Sequence, residues 1–522
     1  MVNRFLLLVA FSILLAATSS ADPQEQTWLE QARVALANGD FGAARAAAGK
    51  ALSQNGASAE AEVILGLADT AGDQLRSAED HFAKAVSLQP SNYRAHTYLG
   101  STYLRQQRLV EAQRAFSRVL QLNPGNAVAQ YNLGVIATLQ RKPAIAIPYF
   151  SAVLQLNPGD AAALVALLEC QLDLKQSRAA RDSAQKLDKL LPADSPVLLQ
   201  VGAALASHEE YATALPLLRR FAAANPASLD AGYNLGLALF HTGALEEAES
   251  IVKRLLSNAP KAETYNLLGS VIERRGEKQG AVQAFAEAVR LAPGNEDFRI
   301  DHGSSLINAD ALDEAIAAFS RGVADLPESM RLRLGLGSAL YLSGKYDEAA
   351  QAMLECIRRA PGFAPAYDLL GKMFDSAPER QVEIMEAFRR YLQAGAQNAI
   401  AHAHYATMLY ARTQGEGPAR FLQAKQHLRR ALALNPRLAQ AHVQLGVILQ
   451  AEGNLSEAVA SYQRGVALAP SYAAARYRLA SAYQKLGNHA GAQVELEAFR
   501  TLKEKEKAEE REALLRGVSA PE

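Results

Sequence analysis

The sequence has few of the residues that hold small secreted or metal-dependent folds together. Among 522 residues there are two cysteines, Cys170 and Cys356, and one tryptophan. Two thiols cannot form a disulfide framework, so the fold must come from apolar packing. Basic and acidic residues balance at 54 each, which leaves no net charge to attract nucleic acid or an anionic membrane surface.

The motifs of the common catalytic and cofactor sites are also missing. The chain contains no Gly-x-Ser-x-Gly, no Walker-type phosphate loop, no His-Glu-x-x-His helix and no paired-cysteine motif. Gly335-Leu336-Gly337 is like part of a dinucleotide loop, but no third glycine follows. His402 and His404 are two residues apart and so point to different sides of a helix, unlike an i, i+4 metal pair. We therefore expect no catalytic, metal or cofactor site.

The N-terminus carries the pattern typical of a secretory signal peptide. Arg4 precedes an apolar stretch from Phe5 to Ala17, and Ser19 and Ala21 are small residues at positions suited to cleavage. The stretch is shorter than the roughly 20 apolar residues that span a bilayer, which argues against an uncleaved anchor. We expect residues 1–21 to be removed and the mature chain to be periplasmic or secreted, without stable membrane insertion.

What the sequence has in abundance is a repeat of 34 residues. Prolines recur at this spacing, with one step of 33, at positions 90, 124, 158, 192, 226, 260, 293, 327 and 361, and again at 436 and 470. In the same register Gly100 precedes Ala112 by 12 residues, and Ala112 precedes Pro124 by another 12. Apolar residues at helical spacing on both sides of a short break predict two helices in each repeat.

The segment from residue 96 to residue 124 resembles the tetratricopeptide repeat (TPR) at its signature positions, namely Leu99, Gly100, Tyr103, Ala112, Phe116 and Pro124. The resemblance implies an all-α, right-handed superhelical solenoid of about fourteen helix-turn-helix repeats. We expect the array to occupy residues 22–504, with an irregular stretch at 362–436, and a charged, solvent-facing capping helix and tail over residues 505–522. Since repeats use up the chain, no segment remains for a catalytic domain, and we expect no enzyme.

In this family, partners usually lie on the inner face that the first helices of the repeats form. If the glycine of each repeat is counted as position 8, this face carries positions 2, 5, 6, 9, 12 and 13. Two aromatic and amide clusters on it are candidate binding residues: Tyr98, Tyr131 and Asn132, and Tyr233, Asn234, Phe240 and His241. A third, acidic part of the groove comprises Glu263, Asn266, Asp297, Asp301 and Asn308. The alternative is that these residues are solvated surface or packing between helices.

The resemblance implies a non-catalytic scaffold of the exported compartment that binds protein or peptide segments in this groove without a cofactor. Two alternatives stay open: a TPR subunit of an envelope machine for polysaccharide export or pilus assembly, and a region like that of O-linked N-acetylglucosamine transferases acting with a separate catalytic partner. The asparagine ladder of those transferases, at position 6, is matched only at Asn132 and Asn234. No three consecutive repeats supply the carboxylate clamp of heat-shock co-chaperones. The identity of the partner and the oligomeric state stay open.

Overall fold

The computed structural model describes residues 23–412 and 419–519. Within these ranges the chain forms twenty-eight α-helices and no β-strand. The predicted signal peptide lies outside them. The chain comprises two compact units, Met1–Thr242 (unit 1) and Gly243–Glu522 (unit 2).

Unit 1 contains the helices α1 to α13, in which odd numbers are the first helices of repeats and even numbers the second. Their bounds are α1 Pro23–Ala37, α2 Phe41–Gln54, α3 Ala59–Ala71, α4 Leu75–Leu88, α5 Tyr93–Arg105, α6 Leu109–Leu122, α7 Ala127–Leu139, α8 Pro143–Leu156, α9 Ala161–Asp173, α10 Ser177–Leu190, α11 Pro196–Ser207, α12 Tyr211–Ala224 and α13 Leu229–Thr242. Consecutive helices of the unit pack on each other as antiparallel neighbours, as short connections require.

Unit 2 continues the alternation. Its helices are α14 Leu245–Asn258, α15 Ala262–Arg274, α16 Lys278–Leu291, α17 Glu296–Asn308, α18 Leu312–Asp325, α19 Met330–Leu342, α20 Tyr346–Arg359, α21 Ala364–Met373, α22 Gln381–Gln393, α23 Ala399–Ala411, α24 Ala419–Leu434, α25 Ala439–Ala451, α26 Leu455–Leu468, α27 Ala473–Lys485 and α28 His489–Ser519. Two 3-10 turns, Phe374–Ser376 and Pro378–Arg380, connect α21 to α22. They interrupt the regular pattern inside the stretch 362–436, of which residues 413–418 lie outside the described residues.

The predicted fold class is confirmed, because the described chain is an all-α array with two helices for each repeat in the sequence register. Across the ranges 23–412 and 419–519, no helix is long and apolar enough to cross a membrane.

Several first helices begin at a polar residue placed two positions after the proline of the preceding repeat. The side chains of Asn92, Asn126 and Asp160 accept hydrogen bonds from backbone N–H groups three residues further on, at 3.1, 2.9 and 2.9 Å. Each cap gives a partner to one of the N–H groups that a helix start leaves unsatisfied. Since proline cannot continue the second helix of the preceding repeat, one helix ends and the next begins within a few residues.

The turn between the two helices of a repeat contains a residue with positive φ. Gly344 fills this place with φ 77°, but Gln107 and Lys175 adopt the same conformation at 61° and 55°. The left-handed region is unfavourable for a residue that has a Cβ atom. The geometry of these turns is therefore imposed by the packing of the helices that they join.

In several repeats the glycine at position 8 of the first helix lies against a ring of the second helix, and in others it lies against a leucine or methionine side chain. A Cβ added to Gly134 would lie 2.7 Å from Phe150 Cε1, and a Cβ added to Gly66 would lie 2.6 Å from Phe82 Cε1. Both rings are 1% exposed. The ring fills the space that the missing side chain leaves, and it sets the distance between the two helices.

The last helix differs from the separate, solvent-facing cap that the sequence predicts. α28 runs unbroken from His489 to Ser519, so it joins the second helix of the last repeat to the predicted capping segment. It packs on α27 and also contacts α17 and α19. Leu514 is 7% exposed and belongs to an apolar cluster with Ile300 and Leu334. This contact cannot be predicted from the charge pattern, because leucines within a charged segment do not indicate which distant surface will bury them.

The two histidines of α23 point to different sides of the helix, in agreement with their spacing. His402 Nδ1 lies 2.9 Å from His427 Nδ1 on α24, whereas His404 Nε2 lies 3.1 Å from Asp368 Oδ1 on α21. Burial, together with the charges of His427 and Arg430, lowers the pKa of His402 to about 4. Burial also lowers the pKa of His427. Both rings are therefore neutral at pH 7, and one donates a hydrogen bond to the other.

The close contact at position 8 predicts opposite effects at two glycines. Gly134→Ala should lower the free energy of unfolding by about 1–3 kcal/mol, because the buried Phe150 ring must shift to admit the Cβ atom. In Gly49→Ala, the matched control in α2, no atom lies within 4 Å of the added Cβ. Alanine should there stabilise the helix by up to about 1 kcal/mol. Denaturant unfolding followed by circular dichroism measures both, and equal effects at the two sites would contradict the explanation.

The low pKa of His402 predicts a loss of stability in acid. As the pH falls below the ordinary histidine value of 6.5, the unfolded chain takes up a proton before the folded chain does. The contribution of the neutral ring is complete above pH 6.5 and is lost as the pH falls to about 4, at no more than about 1.4 kcal/mol per pH unit. His402→Gln should flatten the pH dependence of the unfolding midpoint in this window. An unchanged slope would assign the acid sensitivity to other groups.

Candidate functional site

Two tyrosines of the first aromatic cluster lie half-buried on the first helices α5 and α7. The Tyr98 ring stacks on Phe82 of α4, with centroids 5.5 Å apart, and Tyr131 meets Phe150 of α8 edge-on at 5.6 Å. Burial raises the pKa of both phenols. Each tyrosine therefore rests on the central ring of a repeat and exposes only part of its surface.

Asn132, the third member of this cluster, is turned inward. It is 8% exposed, and its Nδ2 donates a hydrogen bond to Val128 O of its own helix at 2.8 Å. A side chain so placed has little surface to offer a ligand. Since α5 and α7 are in contact, the exposed edges of Tyr98 and Tyr131 are what this cluster presents as candidate binding surface.

The second cluster lies entirely on α13 and comprises Tyr233, Asn234, Phe240 and His241. His241 stacks on Tyr211, the first residue of α12, with centroids 3.9 Å apart and planes 7° apart, and it meets Phe240 edge-on at 5.0 Å. Asn234 Nδ2 donates one hydrogen to Asp230 O at 2.8 Å, and an amide carries a second hydrogen that can reach outward. The sequence pattern misses Tyr211, because the groove positions are counted on first helices and Tyr211 begins a second helix.

The acidic set lies on unit 2, where hydrogen bonds join α15 to α17. Asn266 Nδ2 donates to Asp301 Oδ2 at 2.8 Å, and Asn308 Nδ2 donates to Glu273 Oε1 at 3.2 Å. Burial raises the pKa of Asp301 despite the hydrogen bond from Asn266. In each pair the two bonded residues are 35 positions apart in the sequence. Contacts of the same register therefore join α15 to α17 at two places along their length.

An arginine offsets part of the negative charge on this face. Arg331 Nη1 on α19 lies 2.7 Å from Asp297 Oδ1 and 3.6 Å from Glu296 Oε2. Glu263 and Asp297 are exposed. The face is therefore a mixture of amides, carboxylates and an arginine, which is less acidic than the sequence list suggests. Glu273 and Arg331, which sequence reasoning missed, occupy positions 12 and 2 of their repeats and could be found by extending the register count.

The neighbouring part of the inner face, on α17 and α19, is apolar. Positions 5 and 12 of these two helices are occupied by Ile300, Ile307, Leu334 and Tyr341. Ile300 and Ile307 are 0% exposed and Leu334 is 3% exposed. Leu514 and Leu515 of α28 belong to the same apolar cluster, so the last helix covers this part of the face.

A buried polar network in unit 1 contains the residue types of a catalytic triad but not the arrangement. Ser77 Oγ donates to Asp69 Oδ2 at 2.5 Å, while His81 Nδ1 lies 2.5 Å from Glu62 Oε2. Arg45 of α2 lies 2.6 Å from Asp69 Oδ1. A nucleophilic hydroxyl needs a base that can take its proton, and here the serine is bonded to a carboxylate that an arginine already neutralises. The network joins α2, α3 and α4 and stabilises the first two repeats.

Other chemistry-bearing side chains of the described residues have structural surroundings. Cys170 and Cys356 are buried thiols, and burial raises the pKa of Cys170. Cys356 Sγ lies 3.5 Å from Met330 Sδ. Within the parts of the chain that the structure describes, no three His, Cys, Asp or Glu side chains are grouped to hold a metal ion.

Solved structures that resemble the chain include yeast Tom70, with 17% identity over 84% of this chain and 96% of that chain and a TM-score of 0.35. YrrB, described as a TPR protein with an unusual peptide-binding site, has 22% identity over 35% of this chain and 95% of its own, with a TM-score of 0.32. Pseudomonas aeruginosa pilF has 21% identity over 40% and 95%, with a TM-score of 0.35. Likeness at this level carries no argument about function.

Family models match more than half of the chain. One tetratricopeptide repeat model matches residues 67–127, 140–195, 252–296 and 300–363, and a second matches 205–271. A third, described as a TPR repeat, matches 448–487. No curated protein matches the chain significantly. The matched segments carry the paired helices, the glycine and ring contact and the proline boundaries described above, and the chain belongs to the tetratricopeptide repeat family.

Proposed function

We propose that the chain is a non-catalytic scaffold of the exported compartment, which binds segments of other proteins on the first-helix faces of its repeats. Membership of the TPR family supports a role in protein interaction. The observation that carries the proposal is the face of α13, where Tyr233, Phe240 and His241 line one helix together with Asn234. Aromatic rings beside amides combine apolar contact area with hydrogen bonding, which suits an extended peptide.

The packing of these rings favours binding because the side chains are already ordered before a ligand arrives. His241 is held between Tyr211 and Phe240, and Tyr233 is half-buried on α13. A ligand that contacts rings already held in place loses less conformational entropy than one that must order free side chains. The exposed edges of Tyr98 and Tyr131 extend the same kind of surface to α5 and α7.

The non-catalytic part of the proposal is supported by the placement of the reactive residue types. Ser77, His81 and Asp69 form a packing network, and Cys170 is a buried thiol with a raised pKa. The exported location is supported by the sequence of residues 1–21, in which Arg4 precedes an apolar stretch of signal-peptide length.

Export predicts a processed N-terminus. Chain recovered from the native host's periplasm or medium should have an intact mass that begins near residue 22. Leu8→Arg with Val9→Arg breaks the apolar stretch, so the unprocessed chain should stay in the cytoplasm. Unprocessed wild-type chain in the cytoplasm would contradict the proposed location.

Groove binding predicts position-dependent crosslinking. A photoreactive phenylalanine analogue at position 240 should capture a reproducible partner in native cells. The same analogue at position 110 should not, because Val110 lies 56% exposed on the second helix α6. Tyr131→Ala with Tyr233→Ala should reduce the capture at position 240 by about fivefold or more, in line with the loss of aromatic anchors.

The control for this experiment is Val110→Ala, which changes an exposed apolar residue of a second helix and should leave the capture unchanged. Circular dichroism of both variants shows whether the repeats stay folded. Equal capture at positions 110 and 240, or capture that survives the double tyrosine change, would contradict binding on the first-helix face.

A further inference from the structure

The inner face of α17 and α19 is covered by another part of the same chain. α28 leaves its neighbour α27 and contacts α17 and α19, which belong to repeats far earlier in the sequence. Leu514 is 7% exposed, and Leu515 packs against the same apolar cluster. The contact lies on the face where the first helices of a repeat array meet a ligand.

The apolar residues beneath α28 occupy groove positions and not positions of the repeat core. Ile300 and Ile307 stand at positions 5 and 12 of α17, and both are 0% exposed. On α15, the first helix of the preceding repeat, the same positions hold Asn266 and Glu273, which are half-buried. Because α28 contacts α17 and its leucines belong to the same apolar cluster, α28 contributes to the burial of these two side chains.

The surface also suits close approach by a helix. Position 9, between the two apolar positions, is Ser304 on α17 and Ser338 on α19. Small side chains there leave room for a helix backbone, while aliphatic residues on both sides make apolar contact. An amphipathic helix lying in an apolar groove through a few aliphatic anchors is a common mode of peptide recognition.

We propose that the inner face of α17 and α19 is a helix-binding site, and that the chain's own C-terminal segment fills it through Leu514 and Leu515. The partner that fits is an amphipathic helix with two adjacent aliphatic residues in a charged sequence, since that is the chemistry of the resident segment. Such a partner binds by displacing the end of α28.

The inference rests on the proposed scaffold function and assigns one part of the groove its ligand chemistry and its regulation. A ligand that binds only the open state has its apparent affinity reduced by the fraction of chain in that state. The attached segment therefore sets the lowest affinity with which a partner can displace it from the site. Removal or modification of the C-terminal segment allows partners of lower affinity to bind.

The test uses the full chain with Leu514→Asp and Leu515→Asp, which places two charges on the apolar cluster. A fluorescein-labelled peptide with the sequence of residues 500–519 is the probe, and fluorescence anisotropy measures its binding. The double variant should bind the peptide at least tenfold more tightly than the wild-type chain. A peptide that itself carries both aspartates should not bind either chain.

The matched control is Val494→Asp, which adds a charge to the same helix where the side chain is 66% exposed, and it should behave as the wild type. Hydrogen exchange gives a second measurement that does not depend on the affinity of the peptide. Backbone amides of residues 504–519 should exchange slowly in the wild type and in Val494→Asp, and at least tenfold faster in the double variant.

Equal peptide binding by all three chains, or fast exchange of residues 504–519 in the wild type, would overturn the proposal. A wild-type mass that rises to a dimer with concentration, and falls to the monomer in the double variant, would also overturn it by placing a second copy in the site. These outcomes are independent of crosslinking at position 240, which tests the scaffold function on unit 1. Either conclusion can therefore fail alone.

Discussion

The contact between the small residue at position 8 and the ring of the second helix is the constraint on which the rest of the structure depends. At Phe319 one ring serves two repeats. A Cβ atom on Gly303 at position 8 of α17, or on Gly335 at position 6 of α19, would overlap this ring, which is fully buried on α18 between them. The missing side chains thus allow α17 and α19 to close on the same ring, and this builds the surface on which α28 lies.

Along the array the backbone repeats while the chemistry of the inner face changes. Position 12 is Phe240 on α13, Glu273 on α15, Ile307 on α17 and Tyr341 on α19. The side chains that hold each hairpin together point between helices, so the inner face is free to vary without loss of the fold. Within unit 2, a mixed polar surface on α15 and α17 gives way to an apolar one on α17 and α19. A single scaffold can therefore present different ligand chemistries at neighbouring repeats.

Sequence reasoning predicted what depends on local register. The glycines, alanines and prolines gave the two helices of each repeat and their boundaries, because those residues act on neighbours within one or two turns. It could not predict that Asn132 turns inward or that Tyr211 stacks on His241, since both depend on rotamers and on contacts between repeats. Which groove residues bind a partner stays a prediction. The contact of α28 with α17 and α19 could not be predicted from the sequence, because no periodicity relates Leu514 to Ile307.

This last contact changes how unit 2 should behave as a folded body. In an open stack each repeat touches only its neighbours, so stability is close to a sum of local terms and ends can fray one repeat at a time. Through α28 the final repeat is tied to α17 and α19, and the stack between them becomes a closed ring of contacts. Opening any repeat inside that ring strains the others, so the segment from α17 to α28 should lose structure as one cooperative block, whereas the N-terminal repeats of unit 1 can open stepwise.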